Sequence, residues 1–160
     1  MKLKIFKYKS VKSTNEIAIE LIKNKKQSSG CIQSIKQTKG RGTYGKKWVS
    51  KKGNLFVTIF FPLEKNMPPF SDFFIINAVL LRGVIKLFCK NKKVSVKWPN
   101  DIFVNGKKIC GILQEHITLH SKNFLIIGIG VNIISSPNLK NKYKATNIFS
   151  ETKIKPTPNE

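Results

Sequence analysis

The sequence has few acidic residues and almost no arginine. Its 160 residues include 30 Lys or Arg but only 8 Asp or Glu, so the formal net charge is +22 at pH 7. Only Arg41 and Arg82 are arginines, and the lysines are spread along the whole chain. A nucleic-acid-binding module concentrates its cations in one patch or stripe. This distribution therefore favours a solvated lysine surface over a nucleic-acid-binding face.

Long apolar runs are also missing. No stretch approaches the roughly 20 consecutive apolar residues of a membrane span. The N-terminal MKLKIFKYKSVK alternates lysine with apolar residues and does not form a signal-peptide core. We therefore expect a cytoplasmic protein with no membrane partner. A chain of this length can bury one core, so one domain is expected.

Cysteine and histidine are scarce. Cys31, Cys89 and Cys110 are odd in number and have no metal-binding spacing, which predicts buried, reduced thiols and no protein-built metal site. His116 and His120 are four residues apart, as a helical metal pair would be. Their segment is predicted to be a strand running into a turn, which makes the pair incidental.

Hydrophobic periodicity predicts two helices. An S-x-x-E capping box at residues 13–16 predicts a short helix from near Thr14. A longer helix is predicted over residues 71–90, with Ser71 as its cap. Beyond Ser135 the chain becomes polar, and no further element is predicted.

The remaining segments predict strands. These are CIQSIK, residues 54–61 ending before Pro62, residues 94–97, two strands joined by Asn105-Gly106, and the nearly continuous apolar run over residues 123–133. The last of these should be central in a sheet. The expected fold is an α+β domain with a mixed, mostly antiparallel sheet packed against helices.

Two segments could carry chemistry. The loop from Gly40 to Trp48 combines three glycines with Arg41 and several lysines, a composition that suits phosphate binding, although a mobile basic loop is the commoner meaning of such a stretch. The segment KWPND, residues 97–101, places a cation, an aromatic ring and two polar side chains directly after a strand. A simple β-turn explains this segment equally well.

The motifs together resemble the biotin protein ligases. Ser13-Thr14-Asn15, the GRG-x-x-G-x-x-W stretch of residues 40–48, KWPND, KKICGIL at 107–113 and GIGVN at 128–132 occur in the order and approximate spacing of that family. The resemblance spans roughly residues 8–150. Lipoate ligases and octanoyltransferases have similar folds but lack this pairing of motifs, so they are the second choice.

The resemblance implies an activity and a set of site residues. The activity is ATP-dependent conversion of biotin to biotinyl-5′-adenylate and transfer of biotin to a lysine of the biotin carboxyl carrier protein of acetyl-CoA carboxylase, with Mg²⁺. The implied catalytic residues are Arg41, Lys97 and Lys108. The implied substrate-binding residues are Ser13, Thr14, Asn15, Gln37, Gly40, Arg41, Gly42, Trp48, Lys108, Gly111, Gly128 and Gly130. The implied nucleotide-binding residues are Asn100, Asp101 and Asn132, with Asp101 also helping to hold the site or its magnesium ion.

The sequence departs from the family pattern in two places. Thr43 stands where the family loop has its second arginine, and we therefore expect looser retention of the adenylate. The catalytic domain is assigned to residues 1–150 and a tail to residues 151–160, and the family's C-terminal helices and β-barrel are expected to be absent. No helix-turn-helix domain precedes the motifs, so no DNA partner is expected. A homodimer through the sheet edge, and an inactive core that still binds biotin, are both compatible with the resemblance.

Overall fold

The computed structural model describes residues 3–138 and 144–156, which form a sheet flanked by helices. In chain order the elements are β1 (Ile5–Tyr8), α1 (Thr14–Lys25), β2 (Gly30–Ser34), β3 (Leu55–Pro62), α2 (Asp72–Phe88), β4 (Val94–Lys97), β5 (Asp101–Val104), β6 (Lys107–Leu119), β7 (Lys122–Val131) and α3 (Ile148–Thr152). A short 3₁₀ turn, Thr43–Gly45, interrupts the glycine-rich loop.

The strands form one sheet in the order β1-β2-β3-β7-β6-β5-β4. Only the β1–β2 pair is parallel, and every other neighbouring pair is antiparallel. The predicted mixed, mostly antiparallel sheet is thus confirmed. β7 is the middle strand, as its apolar run predicted, and Leu125 and Ile126 on it are fully buried.

The helices pack on opposite faces of the sheet, because successive side chains of a strand point to opposite sides. Phe124 and Ile126 of β7 join the apolar cluster of α1, whereas Leu125 and Ile127 join a cluster that includes Ala78 of α2. A strand covered on both faces must be apolar at every position. This requirement explains the unbroken hydrophobic run in β7.

The hairpin predicted at Asn105-Gly106 is confirmed. Asn105 has φ 50° and Gly106 has φ 74°, the pair of positive values that a type I′ turn requires. The turn joins β5 to β6 and so brings residues 97–101 and 107–113 side by side in the sheet, where Asp101 is the Cα partner of Gly111.

The predicted helix caps were wrong in detail. Ser13 does precede α1, but its side chain makes no capping hydrogen bond. Glu16, the other member of the predicted capping box, instead lies 3.7 Å from Nε of Arg41. Ser71 has helical dihedral angles, and its hydroxyl donates to Asp72. In both cases a nearby charged side chain competes with the capping geometry.

Two elements were missed from the sequence, β1 before the first helix and α3 near residue 150. α3 has only five residues, and the Asn147 side chain caps it by accepting from the N–H of Ser150 at 2.8 Å. Ile148 is buried in the core. The predicted domain boundary at residue 150 thus falls inside a helix that packs on the domain. Residues 157–160 of the predicted tail lie outside the described residues, as do residues 1–2 and 139–143 of the predicted domain.

The cysteines are free thiols, as predicted, although Cys31 is only half-buried. Complete burial raises the pKa of Cys110 to about 12. In the part of the chain that the structure describes, no helix is long and apolar enough to cross a membrane. Within the same ranges, no group of three His, Cys, Asp or Glu side chains could hold a metal ion.

Candidate functional site

The first turn of α1 meets the centre of the sheet and forms one wall of a small cavity. Ser13, Thr14 and Asn15 are almost completely buried, although all three are polar. Buried polar groups need hydrogen-bond partners. The N–H and hydroxyl of Thr14 both donate to Oε1 of Gln37, at 2.8 and 3.1 Å. Gln37 in turn donates to the hydroxyl of Ser50 at 3.1 Å.

Asn15 is fixed by three hydrogen bonds and one steric contact. Its Oδ1 accepts from the hydroxyl of Thr58 at 2.6 Å, and its Nδ2 donates to the carbonyl of Leu113 at 3.2 Å and to Oε2 of Glu115 at 2.7 Å. The fourth contact is steric: the side chain lies directly over Gly128, where any Cβ would overlap Oδ1 of Asn15. A glycine at residue 128 is therefore required for Asn15 to reach the sheet.

Two further glycines, on β6 and β7, accommodate Trp48. Gly111 and Gly130 are Cα partners on β6 and β7. A Cβ on Gly130 would lie 2.5 Å from the Trp48 indole, and one on Gly111 would lie 2.7 Å from it. The family resemblance implied that these glycines bind the substrate. In the structure the indole of Trp48 occupies the space over them.

Arg41 links the glycine-rich loop to β6. Its Nη1 and Nη2 donate to the two carboxylate oxygens of Glu115, at 3.0 and 2.9 Å. The loop itself is a small hairpin, in which the N–H of Gly42 donates to the carbonyl of Lys46 and that of Trp48 donates to Gly40. Arg41, expected beside a phosphate, is thus engaged by a carboxylate in this structure.

A second, larger cavity adjoins the first and is rich in cations. It has a volume of about 250 Å³, against about 40 Å³ for the first. Lys46, Lys47, Lys97 and Lys108 line it, and Asp101 is the one carboxylate among its lining residues. Lys108 forms an ion pair with Asp101. Its ammonium also lies 5.4 Å from the centre of the Trp48 ring, so this lysine stands where the two cavities meet.

The turn between β4 and β5 supplies Asn100 to both cavities. Its Nδ2 donates to the carbonyl of Ile112 at 3.0 Å, and the N–H of Ile112 donates back to the carbonyl of Asn100 at 2.8 Å. The peptide bond between Trp98 and Pro99 is cis. KWPND is thus a turn, as the simpler interpretation predicted, and the turn also contributes to the site.

The segment after residue 144 runs beside Lys108 and closes the far side of the second cavity. The N–H of Lys108 donates to the carbonyl of Lys144 at 2.9 Å, and that of Thr146 donates to Lys108 at 2.8 Å. Nδ2 of Asn132 donates to the carbonyl of Thr146 at 3.0 Å. Oδ1 of Asn132 is buried and has no hydrogen-bond partner among the residues that the structure describes.

Most of the predicted site residues are brought together. Those lining the first cavity are Ser13, Thr14, Asn15, Gln37, Arg41, Gly42, Trp48, Asn100, Asp101, Lys108, Gly111, Gly128 and Gly130. Lys97 and Asn132 line only the second cavity. Gly40 lines neither, and it packs against the backbone of Trp48. Thr58 and Glu115 were not predicted, because each lies at least 40 residues along the chain from the site residue that it contacts.

The fold is an α+β domain with two adjoining cavities, one of them at the centre of its sheet. Residues 8–132 match the model of the Biotin/lipoate A/B protein ligase family, and the chain belongs to that family.

Known relatives share this family. The bifunctional ligase/repressor BirA of Escherichia coli is 32% identical over 126 residues, which are 77% of this chain and 38% of that protein. The biotin–[acetyl-CoA-carboxylase] ligase of Paracoccus denitrificans is 30% identical over 128 residues, 79% of this chain and 53% of that protein. This chain therefore spans between about a third and a half of these relatives.

A solved structure extends the likeness to nearly the whole chain. The biotin protein ligase of Leishmania major, determined in complex with biotinyl-5-AMP, superposes with a TM-score of 0.83 at 28% identity. The superposition covers 99% of this chain and 70% of that chain.

Proposed function

We propose that this chain activates biotin with ATP and transfers it to a lysine of a carrier protein. The observation that carries this proposal is the junction of the two cavities. A small cavity at the start of α1, lined by several buried polar side chains, lies beside a cation-rich cavity, and Lys108 and Trp48 line both. A biotin ligase must hold a neutral polar ring on one side of a carboxylate and a nucleotide on the other.

The first cavity suits the ureido ring of biotin. A urea offers two N–H donors and one carbonyl acceptor, and the buried groups of Ser13, Thr14, Asn15 and Gln37 can match both kinds. The start of a helix also presents backbone N–H groups that have no partner within the helix. A cavity of about 40 Å³ holds only a few waters. Binding biotin therefore requires the indole of Trp48 to move off Gly111 and Gly130.

The second cavity suits a nucleotide triphosphate. Four lysines line it, and Asn100 and Asn132 supply neutral polar groups beside them. The buried Oδ1 of Asn132 without a partner is a free acceptor for a donor such as an adenine amino group or a ribose hydroxyl. Magnesium would enter as the companion of ATP. One carboxylate, Asp101, is enough for such an ion, because Mg²⁺ at phosphates usually takes one or two protein carboxylates.

The chemistry needs no covalent enzyme intermediate. The biotin carboxylate attacks the α-phosphorus, a new P–O bond forms, and the bond to pyrophosphate breaks. Negative charge develops on the phosphoryl oxygens, and fixed cations stabilise it. Lys108, at the junction, is placed to pair with the carboxylate and then with the acyl phosphate. Lys97 lies on the nucleotide side and would face the phosphates.

The second step attaches biotin to the carrier. A deprotonated lysine amine of the carrier attacks the acyl carbon, the C–O bond to the phosphate breaks, and AMP leaves. The P. denitrificans relative is named as an acetyl-CoA-carboxylase ligase. We infer a carrier of the same class here, and a cytoplasmic reaction because ATP is consumed. A homodimer and the absence of a DNA partner stay predictions.

The test is ATP-dependent incorporation of labelled biotin into an acetyl-CoA carboxylase carrier domain. We expect labelling by the wild type to fall at least about a hundredfold in Lys108→Ala and about tenfold or more in Arg41→Ala, since each change removes a positioned cation. Lys90→Ala is the matched control, because Lys90 is exposed in the turn after α2. That variant should label as the wild type does.

The two half-reactions separate the possible failures. Pyrophosphate release with biotin and ATP alone reports the first step. Biotin binding without pyrophosphate release would identify a biotin-binding core that does not turn over. Absence of biotin binding by the wild type would contradict the proposal.

A further inference from the structure

We propose that Glu115 is a positioning residue. It holds Asn15, at the start of α1, and Arg41, in the glycine-rich loop, in the relative positions that the site needs. The proposal rests on the function proposed above. Glu115 lies on β6 opposite Ile126. It lines neither cavity, so any effect on the ligands must act through the residues that it contacts.

Glu115 contacts both the start of α1 and the glycine-rich loop, which Glu16 of α1 also joins through its 3.7 Å contact with Nε of Arg41. Its Oε2 accepts from Nδ2 of Asn15, at the start of α1, and from Nη2 of Arg41, in the glycine-rich loop, at 2.7 and 2.9 Å. Its Oε1 accepts from Nη1 of Arg41 at 3.0 Å. Asn15 and Arg41 both line the first cavity. Glu115 therefore holds one residue of the cavity wall, Asn15, and one residue of the loop that contains Trp48, Arg41, on the same carboxylate.

The chemistry of these contacts demands a carboxylate. Three N–H donors point at two oxygens, and each oxygen must act as an acceptor. A glutamine of the same size would turn an NH₂ group toward N–H donors at one of the two positions. Such a donor-to-donor contact repels, and one partner must move away. Glutamine thus keeps the shape of the side chain but removes its negative charge and one of its two acceptor atoms.

The placement of this carboxylate is also specific. The chain has only 8 Asp and Glu residues against 30 Lys and Arg. Three of those acids, Glu16, Asp101 and Glu115, contact Arg41 or Lys108 at the site. The Arg41 and Glu115 side chains are 37% and 26% exposed. Ion pairs with this much exposure add little to stability, so the effect of Glu115 should appear in ligand binding more than in unfolding.

The experiment compares Glu115→Gln and Glu115→Asp with the wild type in biotin binding and in biotin KM and kcat for pyrophosphate release. We expect Glu115→Gln to raise the biotin Kd and KM by about tenfold to a hundredfold, because hydrogen bonds to a charged group are lost. Glu115→Asp keeps two acceptors on a shorter stem and should be impaired less than Glu115→Gln. Glu20→Gln, an exposed substitution on α1, is the matched control and should leave both constants unchanged.

The order of the two variants distinguishes positioning from packing. If Glu115 served only to fill space, the isosteric Gln would be tolerated better than the shorter Asp. Partial unfolding would lower the apparent kcat and leave the biotin KM of the folded fraction unchanged. Either of these results would overturn the proposal, as would an unchanged biotin KM in Glu115→Gln.

Thr58 also holds Asn15, so a substitution at Thr58 tests whether the position of Asn15 matters for biotin binding, however well Glu115→Gln folds. Thr58→Val removes the hydroxyl that donates to Oδ1 of Asn15 and keeps the size of the side chain. The biotin KM should rise in this variant too, and an unchanged KM in both Thr58→Val and Glu115→Asp would overturn the proposal. A wild type that does not bind biotin would instead contradict the proposed function itself, and this outcome is distinct because it precedes any comparison of variants.

Discussion

At the residue scale, Gly128 shows how the site depends on an absent side chain. Asn15 lies directly over it and cannot retreat easily, because Thr58, Leu113 and Glu115 hold its amide. We expect Gly128→Ala to displace Asn15, to weaken biotin binding at least about tenfold and to destabilise the fold by about 1–3 kcal/mol, as overpacking does. Isothermal titration with biotin and thermal unfolding measure the two effects.

Gly83→Ala is the control for that substitution. Gly83 lies within α2, and a Cβ there meets nothing within 4 Å. Alanine should stabilise the helix by about 0.5–1 kcal/mol through its higher helix propensity, with biotin binding unchanged. Equal biotin affinities for wild type and Gly128→Ala would show that Asn15 does not contribute to the ligand site.

Individual site residues could be predicted only where they lie in a recognisable motif. Ser13, Asn100 and Lys108 lie in such motifs and line the cavities. What each side chain contacts could not be read from the sequence. Arg41 was expected beside a phosphate, yet its partner is 74 residues away on another strand. Contacts between residues so far apart in the chain arise from tertiary packing, and a local sequence pattern does not predict them.

At the scale of elements, α3 depends on a carboxylate that lies mostly out of water. The Glu151 side chain is 8% exposed. Burial would raise its pKa, but hydrogen bonds from Thr146 and Asn105 and the nearby Lys107 ammonium outweigh that effect and hold the pKa below its usual value. A lowered pKa means that Glu151 stabilises the fold above its unfolded-state pKa. This stabilisation is lost as the pH falls through the folded-state value.

We therefore expect wild type and Glu151→Gln to converge in stability on acidification. Near neutral pH the wild type should melt at the higher temperature, because its carboxylate accepts from Thr146 and Asn105 and pairs with Lys107. Melting curves from about pH 7 down to about pH 3 cover the titration range of a carboxyl group. A difference that stays constant over this range would argue against a lowered pKa at Glu151.

Long elements were predictable, whereas short ones were not. The period-3.6 pattern located α1 and α2 to within a few residues, and Asn105-Gly106 fixed the β5–β6 turn. β1 and α3 have four and five residues, too few to show a period. α3 exists because Asn147 caps it and because Ile148 is buried, and the second of these is a tertiary effect.

At the scale of the whole molecule, the charge of +22 should act on the protein substrate more than on the small ones. The proposed carrier would be attracted to this surface if it carries a net negative charge, because opposite charges speed encounter over a range set by ionic strength. The screening length falls from about 30 Å at 0.01 M salt to about 10 Å at 0.1 M. We expect kcat/KM for the carrier to fall about tenfold or more across that range.

Pyrophosphate release with biotin and ATP is the internal control for this salt series, because it involves no docking of a protein. If kcat/KM for the carrier did not change with salt concentration, the lysines would serve solubility only and would not speed carrier docking. The net charge could be read from the sequence at once, but its distribution over the surface could not. The structure adds that four of the lysines gather at the second cavity.

The architecture as a whole followed from the family motifs together with the strand patterns. The mostly antiparallel sheet was predicted from the order of helices and strands. The central position of β7 was predicted from its nearly continuous apolar run, which is typical of a strand covered on two faces. The order of strands at the sheet edges was not predicted, since β1 was missed. The pairing of β1 with β2 depends on contacts over about 25 residues of sequence.

The chain has two tryptophans, and both Trp48 and Trp98 line the second cavity. Indole fluorescence excited at the red edge of its absorption therefore arises entirely from the site. Under the proposed function Trp48 leaves the glycines of β6 and β7 when biotin binds, whereas Trp98 is 61% exposed at the second cavity, the proposed nucleotide site. The emission spectrum of the unlabelled chain should thus report ligand occupancy directly, and replacing either indole by phenylalanine would assign the signal to one ligand or the other.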